Sequence, residues 1–237
     1  MNKLFGRDVL GYELRVVGLR SLAVPLVIVG LFAGLTGLFS LLIRSADHAI
    51  IEDMLTAGLE AGLSLGAGLI AATVTAQEPA LEVQLALPVP YRFTAMRRLL
   101  VIIMWTACVG GLLALLLHTL APWMLKASSL GSSQLFWLAP LLWFVGVGAL
   151  GALLLRSRAA SGALLGGIWI AQLLFANFFS THSWTRPWFL FATLYGSSRA
   201  DFWLANRVEL LGTALAFLIA IWLFLRNSEW RLRAEES

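Results

Sequence analysis

The stretch MLTAGLEAGLSLGAGLIAATVTA, residues 54–76, decides how this chain is read. It is continuously apolar apart from one charged side chain, Glu60, and it does not alternate every second residue. It therefore reads as a helix crossing a bilayer, which takes about 20 apolar residues. Gly58, Gly62 and Gly66 fall four apart and share one helix face, where small residues let two helices meet backbone to backbone. A carboxylate inside such a span is costly in lipid and has to face the bundle interior or water. Glu60 lies about 9 Å by helical rise from the end of the span at Met54. It is expected either as a polar point on a transport path or as a hydrated interfacial residue paired with a cation such as Arg44 or Arg207.

Moving outward, Ser21–Ile43, Leu99–Leu120, Leu135–Leu155, Ala159–Phe179 and Val208–Leu225 read in the same way, and with Met54–Ala76 they take up more than half of the 237 residues. The expected fold is an all-α integral membrane protein with six transmembrane helices forming one domain over residues 1–237. Composition agrees: 59% of the residues are hydrophobic and 13% charged, against roughly 45–50% and about 25% in soluble domains. The 21 Gly and 10 Trp suit a bundle with close helix contacts and aromatic belts. The first apolar run is span-long and ends at Arg44 without a small-residue cleavage pattern, so it is expected to be kept as a span. Gly30 with Gly34, and Gly162 with Gly166, repeat the four-residue spacing of the glycines. Gly34, Gly58, Gly62 and Gly66 are thus candidates for helix packing within the chain, or between two copies.

Most basic residues fall on one side of these spans. Lys3, Arg7, Arg15, Arg20, Arg92, Arg97, Arg98, Arg156, Arg158, Arg226, Arg231 and Arg233 share it, while Arg44, Lys126, Arg186, Arg199 and Arg207 fall on the other. The positive-inside rule then predicts cytoplasmic termini, with residues 226–237 as a cytoplasmic tail. The basic excess is explained by topology and contact with anionic lipid, and no basic face with interleaved aromatics points to nucleic acid. Residues 1–20 carry an apolar stripe of Phe5, Val9, Tyr12, Val16 and Leu19 among charges, which predicts a helix lying on the inner membrane surface.

No catalytic constellation is present in the sequence. A single cysteine, Cys108, and three scattered histidines provide neither a disulfide framework nor a metal motif. No phosphate loop ending in Gly-Lys-Ser/Thr occurs, so ATP hydrolysis by that route is excluded for this chain, and there is no nucleophile elbow. The chain is expected not to be an enzyme by itself and to hold no cofactor.

Between the second and third spans stands QEPALEVQLALPVPYRFTAMRR, residues 77–98. Pro79 suits a first helical turn, Glu78 and Glu82 favour its positive end, and Pro88 and Pro90 stop it. A short helix follows, with Leu81 and Leu85 on one face and Val83 and Leu87 on another, so it should dock on the membrane surface or a protein. This segment resembles the one after span two in permease subunits of the type-2 (exporter) class of ATP-binding-cassette transporters. Glu78, Leu81, Glu82, Leu85 and Pro88 match that pattern, Arg92 falls one position late, and Pro79-Ala80 stand where the family has Gly-Thr. The Arg156-Ser-Arg158 turn and the tail from Arg226 add to the likeness.

The resemblance implies a coupling helix seated on separate cytoplasmic ATPase subunits, which bind ATP and Mg, with Glu78 and Glu82 as polar contacts. It also implies a second permease subunit, identical or homologous, and export rather than import. With the preference for Arg over Lys, it points to a bacterial plasma (inner) membrane. An ATP-independent carrier or channel and a lipid-modifying membrane enzyme stay open as alternatives. The carrier should show more ionisable groups deep in its spans, and the enzyme a polar cluster at one face.

The longest connection, between the fifth and sixth spans, carries Trp184, Trp188, Phe191 and Trp203 among Arg186, Arg199 and Asp201. These aromatics are expected as an interfacial belt or a gate that dips back into the membrane.

Overall fold

A computed structural model describes residues 18–42, 48–76, 91–120, 132–196 and 200–235. The calls on residues 1–17 and on Glu78, Leu81, Glu82, Leu85 and Pro88 lie outside the described residues. The described chain is helical: α1 (Leu19–Leu42), α2 (His48–Ala57), a π turn (Gly58–Gly62), α3 (Leu63–Ala76), α4 (Tyr91–Leu120), α5 (Ser132–Leu155), α6 (Arg158–Leu174), α7 (Ala176–Thr181) and α8 (Trp203–Glu235), with a 3₁₀ turn at Arg186–Trp188. Five helices are long and apolar enough to cross a membrane: Ser21–Leu42, His48–Ala76, Arg92–Thr119, Gln134–Leu155 and Trp203–Arg226. This is a multi-pass membrane protein.

The centre of the bundle is α2–α3 against α5. Of the apolar window in His48–Ala76, 67% is buried, whereas in α1 the figure is 11%. The α3–α5 crossing is close because two glycines face each other there. A Cβ on Gly68 would come 2.8 Å from the Phe144 carbonyl oxygen, and one on Gly148 would strike the Gly68 carbonyl. Above and below it, Leu63, Ala67, Leu141, Phe144 and Val145 are buried. The outer helices show the reverse pattern of a soluble protein, with Leu26, Val27, Leu31, Leu38 and Leu41 of α1 pointing away from the bundle, as lipid-facing residues do. Some hydroxyls in the spans are satisfied locally, Thr36 donating to the Phe32 carbonyl and Thr75 to that of Ala71, while those of Thr56, Ser64 and Thr106 are buried with no partner among the described residues. Pro25 removes one rung from the ladder of α1, and nearby the Trp105 indole N–H of α4 donates to the Leu22 carbonyl.

The spacing of Gly58, Gly62 and Gly66 serves packing inside the chain. Added Cβ atoms would come 2.7 Å from Phe32 Cγ at Gly58 and 2.9 Å from Phe32 Cε2 at Gly62, and at Gly66 would strike Ile28. Gly34, on the same helix as these partners, has nothing within 4 Å of its Cβ position.

The fifth span departs from expectation. In place of one helix over Ala159–Phe179, α6 ends at Leu174, and Phe175 (φ −108°, ψ 24°) turns the chain into the six-residue α7. At 17 residues, α6 is about 26 Å long, short of the roughly 30 Å hydrocarbon core. At the break the Tyr195 hydroxyl donates to the Leu173 carbonyl from outside the helix, and Arg186 Nε donates to the Ser180 carbonyl at the far end of α7. The start of α6 follows the turn expected at Arg156-Ser-Arg158: Arg156 is left-handed (φ 49°) and Ser157 caps the helix by accepting from the Ala160 N–H. Four other helices begin three or more residues earlier than their hydropathy suggests, at His48, Tyr91, Ser132 and Trp203.

Candidate functional site

The residues that hydropathy leaves unexplained converge at one place, the seat of the segment joining α7 to α8. Phe189, Leu190, Phe191, Ala192 and Thr193 of that segment are all at most 1% exposed. Beyond the 3₁₀ turn this stretch has no helical ladder of its own. Inside an apolar bundle its backbone groups have to be matched by other parts of the chain, since water is absent and each unmatched group costs several kcal/mol.

Four polar side chains from the helices do so. Gln172 of α6 donates to the Trp188 carbonyl (2.9 Å) and accepts from the Leu190 N–H (3.1 Å). Asn206, in the first turn of α8, donates to the carbonyls of Arg186 (2.6 Å) and Phe189 (3.2 Å). Its neighbour Arg207 donates through Nη1 to the Leu190 carbonyl (2.9 Å) and through Nη2 to Thr193 Oγ1 (3.3 Å). Glu60 accepts the successive N–H groups of Thr193 (3.1 Å) and Leu194 (2.7 Å), an anion nest made by one turn of backbone.

Glu60 and Arg207 also meet each other, Nη2 to Oε1, at 2.7 Å, both fully buried. Charge–charge attraction in a medium of low dielectric is strong, but only complete hydrogen bonding makes such a pair tolerable there. Glu60 meets that condition with three donors. Trp203 completes the site: its indole N–H donates to Thr193 Oγ1 (2.9 Å), and the Arg207 guanidinium lies 5.5 Å from its ring centroid.

The backbone of α2–α3 is adapted to this. Glu60 is the middle residue of the π turn, in which the Leu63 N–H reaches back to the Gly58 carbonyl. A π turn disturbs the regular ladder and frees carbonyls, and the Trp169 indole N–H of α6 donates to that of Ala61 (3.1 Å).

The sequence reading named Arg207 among the candidate partners of Glu60. Of the two expectations for Glu60, a polar point on a path or a hydrated pair at the interface, the pairing is seen but not the hydration, because the α7–α8 segment covers the pair. The helix carrying Glu60 begins at His48, which places the carboxylate about 18 Å along it rather than 9 Å. The aromatic calls divide. Trp184 (69% exposed) and Trp188 (46%) lie on the surface, while Phe191 and Trp203 are inside the site. Gln172, Thr193 and Asn206 escaped the sequence reading; the signal was a lone amide in an apolar helix and an Asn-Arg pair at the mouth of another. Tyr195, at the rim, donates to the Leu173 carbonyl, and its phenol is pushed up by burial and then by the Glu60 carboxylate.

At the other end of the bundle, the Arg92 guanidinium lies 5.3 Å from the Phe93 ring and 5.4 Å from that of Trp222, and the two rings meet edge to face at 5.1 Å, joining the start of α4 to α8. Among the described residues no group of three His, Cys, Asp or Glu is placed to hold a metal ion. Comparison with protein-family models, with curated proteins and with solved structures gave no match.

Proposed function

We propose that this chain is the membrane-spanning permease subunit of an ATP-driven exporter of the ATP-binding-cassette type. In this reading it forms a translocation path as a dimer with itself or a homologue. It crosses a bacterial plasma membrane six times, with α6–α7 as the fifth crossing and both termini cytoplasmic. The observation that carries the proposal is the pattern Glu78, Leu81, Glu82, Leu85 and Pro88 in the connection between α3 and α4. The helix expected from this sequence, too apolar to stay solvated and flanked by prolines, would need a protein or membrane surface to rest on. The bundle supports it in two ways. The chain is multi-pass and brings no phosphate loop of its own, so in this reading the energy source is a partner. And Arg92, the last residue of the pattern, is braced against Trp222 of α8, so a push on this connection reaches a second helix directly.

In the proposed mechanism, ATP and Mg bind only on the partner ATPases, Glu78 and Glu82 make polar contacts with them, and the segment passes their closure to α3 and α4. The test is to purify the tagged chain from its native membrane in mild detergent and identify stoichiometric partners by mass spectrometry. A soluble Walker-type ATPase is expected, and it is lost when Glu78→Ala and Glu82→Ala are combined. Recovery of a folded chain alone refutes the permease reading and favours an ATP-independent carrier or a lipid-modifying enzyme.

A further inference from the structure

The segment Phe189–Leu194 is the one buried stretch of the described chain whose place depends on side chains borrowed from elsewhere. A membrane helix carries its own hydrogen bonds into lipid, but an irregular segment does not. Here α2–α3, α6 and α8 each lend groups to it, and the strongest of these are the paired charges. From this we infer that Glu60 and Arg207 form an ionic latch, and that Phe189–Leu194 is a closure of its end of the bundle which leaves its seat when the pair is broken.

Three features fit a latch better than a permanent staple. The Glu60 carboxylate takes three of the bonds at the closure, the N–H groups of Thr193 and Leu194 and the Arg207 guanidinium, so a single change releases three bonds together. The chain leaves the closure through Gly196, whose left-handed backbone (φ +75°) glycine adopts without strain. Arg207 Nε and Asn206 Oδ1 are buried with no hydrogen-bond partner among the described residues. The closed arrangement thus leaves bonding capacity unused in the two residues that hold the closure, which lowers its advantage over an open one.

The test reads access to the closure directly. In a Cys108→Ala background, Ala192→Cys (0% exposed) reports the closure and Trp184→Cys (69% exposed) serves as the open control. A membrane-impermeant sulfonated maleimide is applied to sealed vesicles of both orientations. Position 192 should react far more slowly than 184. Glu60→Gln, and separately Arg207→Gln, should raise its rate roughly tenfold or more, because each leaves a buried group unmatched. The double change Glu60→Gln with Arg207→Gln should label more slowly than either single, since no lone charge remains. Thr193→Val, which keeps both charges, should give a smaller rise, and it decides the matter if a charge variant does not yield monodisperse protein. Fast labelling at 192 in the parent, no change in Glu60→Gln, or a double variant equal to the sum of the singles overturns the latch. No ATPase takes part in the labelling, so this result is independent of the proposed function.

Discussion

Where α3 crosses α5, side chains are taken away: Gly68 and Gly148 bring two backbones into contact, with the Ser161 hydroxyl on the Gly148 carbonyl. Where Phe189–Leu194 meets α2–α3, α6 and α8, side chains are added: Glu60, Gln172, Asn206 and Arg207 reach out to backbone groups that have no ladder. Both serve the same demand, that polar backbone in an apolar medium be matched. The first region is two helices already satisfied, so what remains is to pack them closely, and shape alone holds them. The second is an unsatisfied segment, so the surrounding helices have to carry polar atoms into the membrane at a cost in each helix's own insertion. The crossing should therefore be sensitive to volume and indifferent to charge, and the seat the opposite.

The largest effect is expected at the crossing. Gly148→Leu puts a branched side chain against the Gly68 carbonyl, backbone that cannot rotate away. The cost should exceed the about 1–3 kcal/mol of ordinary overpacking. Monodisperse protein after detergent extraction should be lost. Gly212→Ala, at a glycine of α8 with nothing within 4 Å, should leave it intact. Equal tolerance of both changes removes the packing half of the comparison.

Next comes the charge pair. Arg207→Met strands Glu60 in the core and should cost about 3–5 kcal/mol, whereas Arg207→Met combined with Glu60→Gln should recover most of that. Thermal unfolding in detergent checks the order. If the double variant is less stable than Arg207→Met, the pair acts through shape as the glycines do. A smaller loss, about 1–3 kcal/mol, is expected for Asn206→Leu, which removes the donor to the Arg186 and Phe189 carbonyls but no charge. That loss should appear with little change in the unfolding of α3 against α5, read by a fluorophore at each site.

The two regions also differ in how far they could be read from the residues. The glycines at 58, 62 and 66 announce a close helix contact, and the apolar runs announce the spans, because both depend on local composition. The seat depends on pairs far apart in sequence. Hydropathy begins the last span at Val208 because Asn206 and Arg207 look too polar to be inside; they are inside because a distant segment needs them. The same reasoning explains the broken fifth span. Nothing in Leu174-Phe175-Ala176 forbids a helix, and the break lies where Tyr195, from the connecting segment, reaches the carbonyl of Leu173. The π turn at Glu60 is likewise unsigned, since its flanking glycines read equally well as packing residues.

The smallest expected effect sharpens the comparison most. Gly34 shares the four-residue spacing of the packed glycines with Gly30 but faces away from the bundle, among Leu31, Leu35 and Leu38. If glycine spacing in this chain serves internal contacts only, Gly34→Ala should change stability by no more than about 0.5 kcal/mol, with any gain coming from better helix propensity. A chain that works as a dimer needs some face for its second copy, and α1, buried over only 11% of its span, is the most open of the five long helices. Disulfide formation by Gly34→Cys in native membranes, alongside a Gly62→Cys control packed against Phe32 and Ile28, separates the cases. Crosslinking at 34 but not 62 makes the spacing in α1 a contact between copies, held by shape like the α3–α5 crossing. No crosslink at either leaves that face to lipid and sends the search for the second copy to another helix.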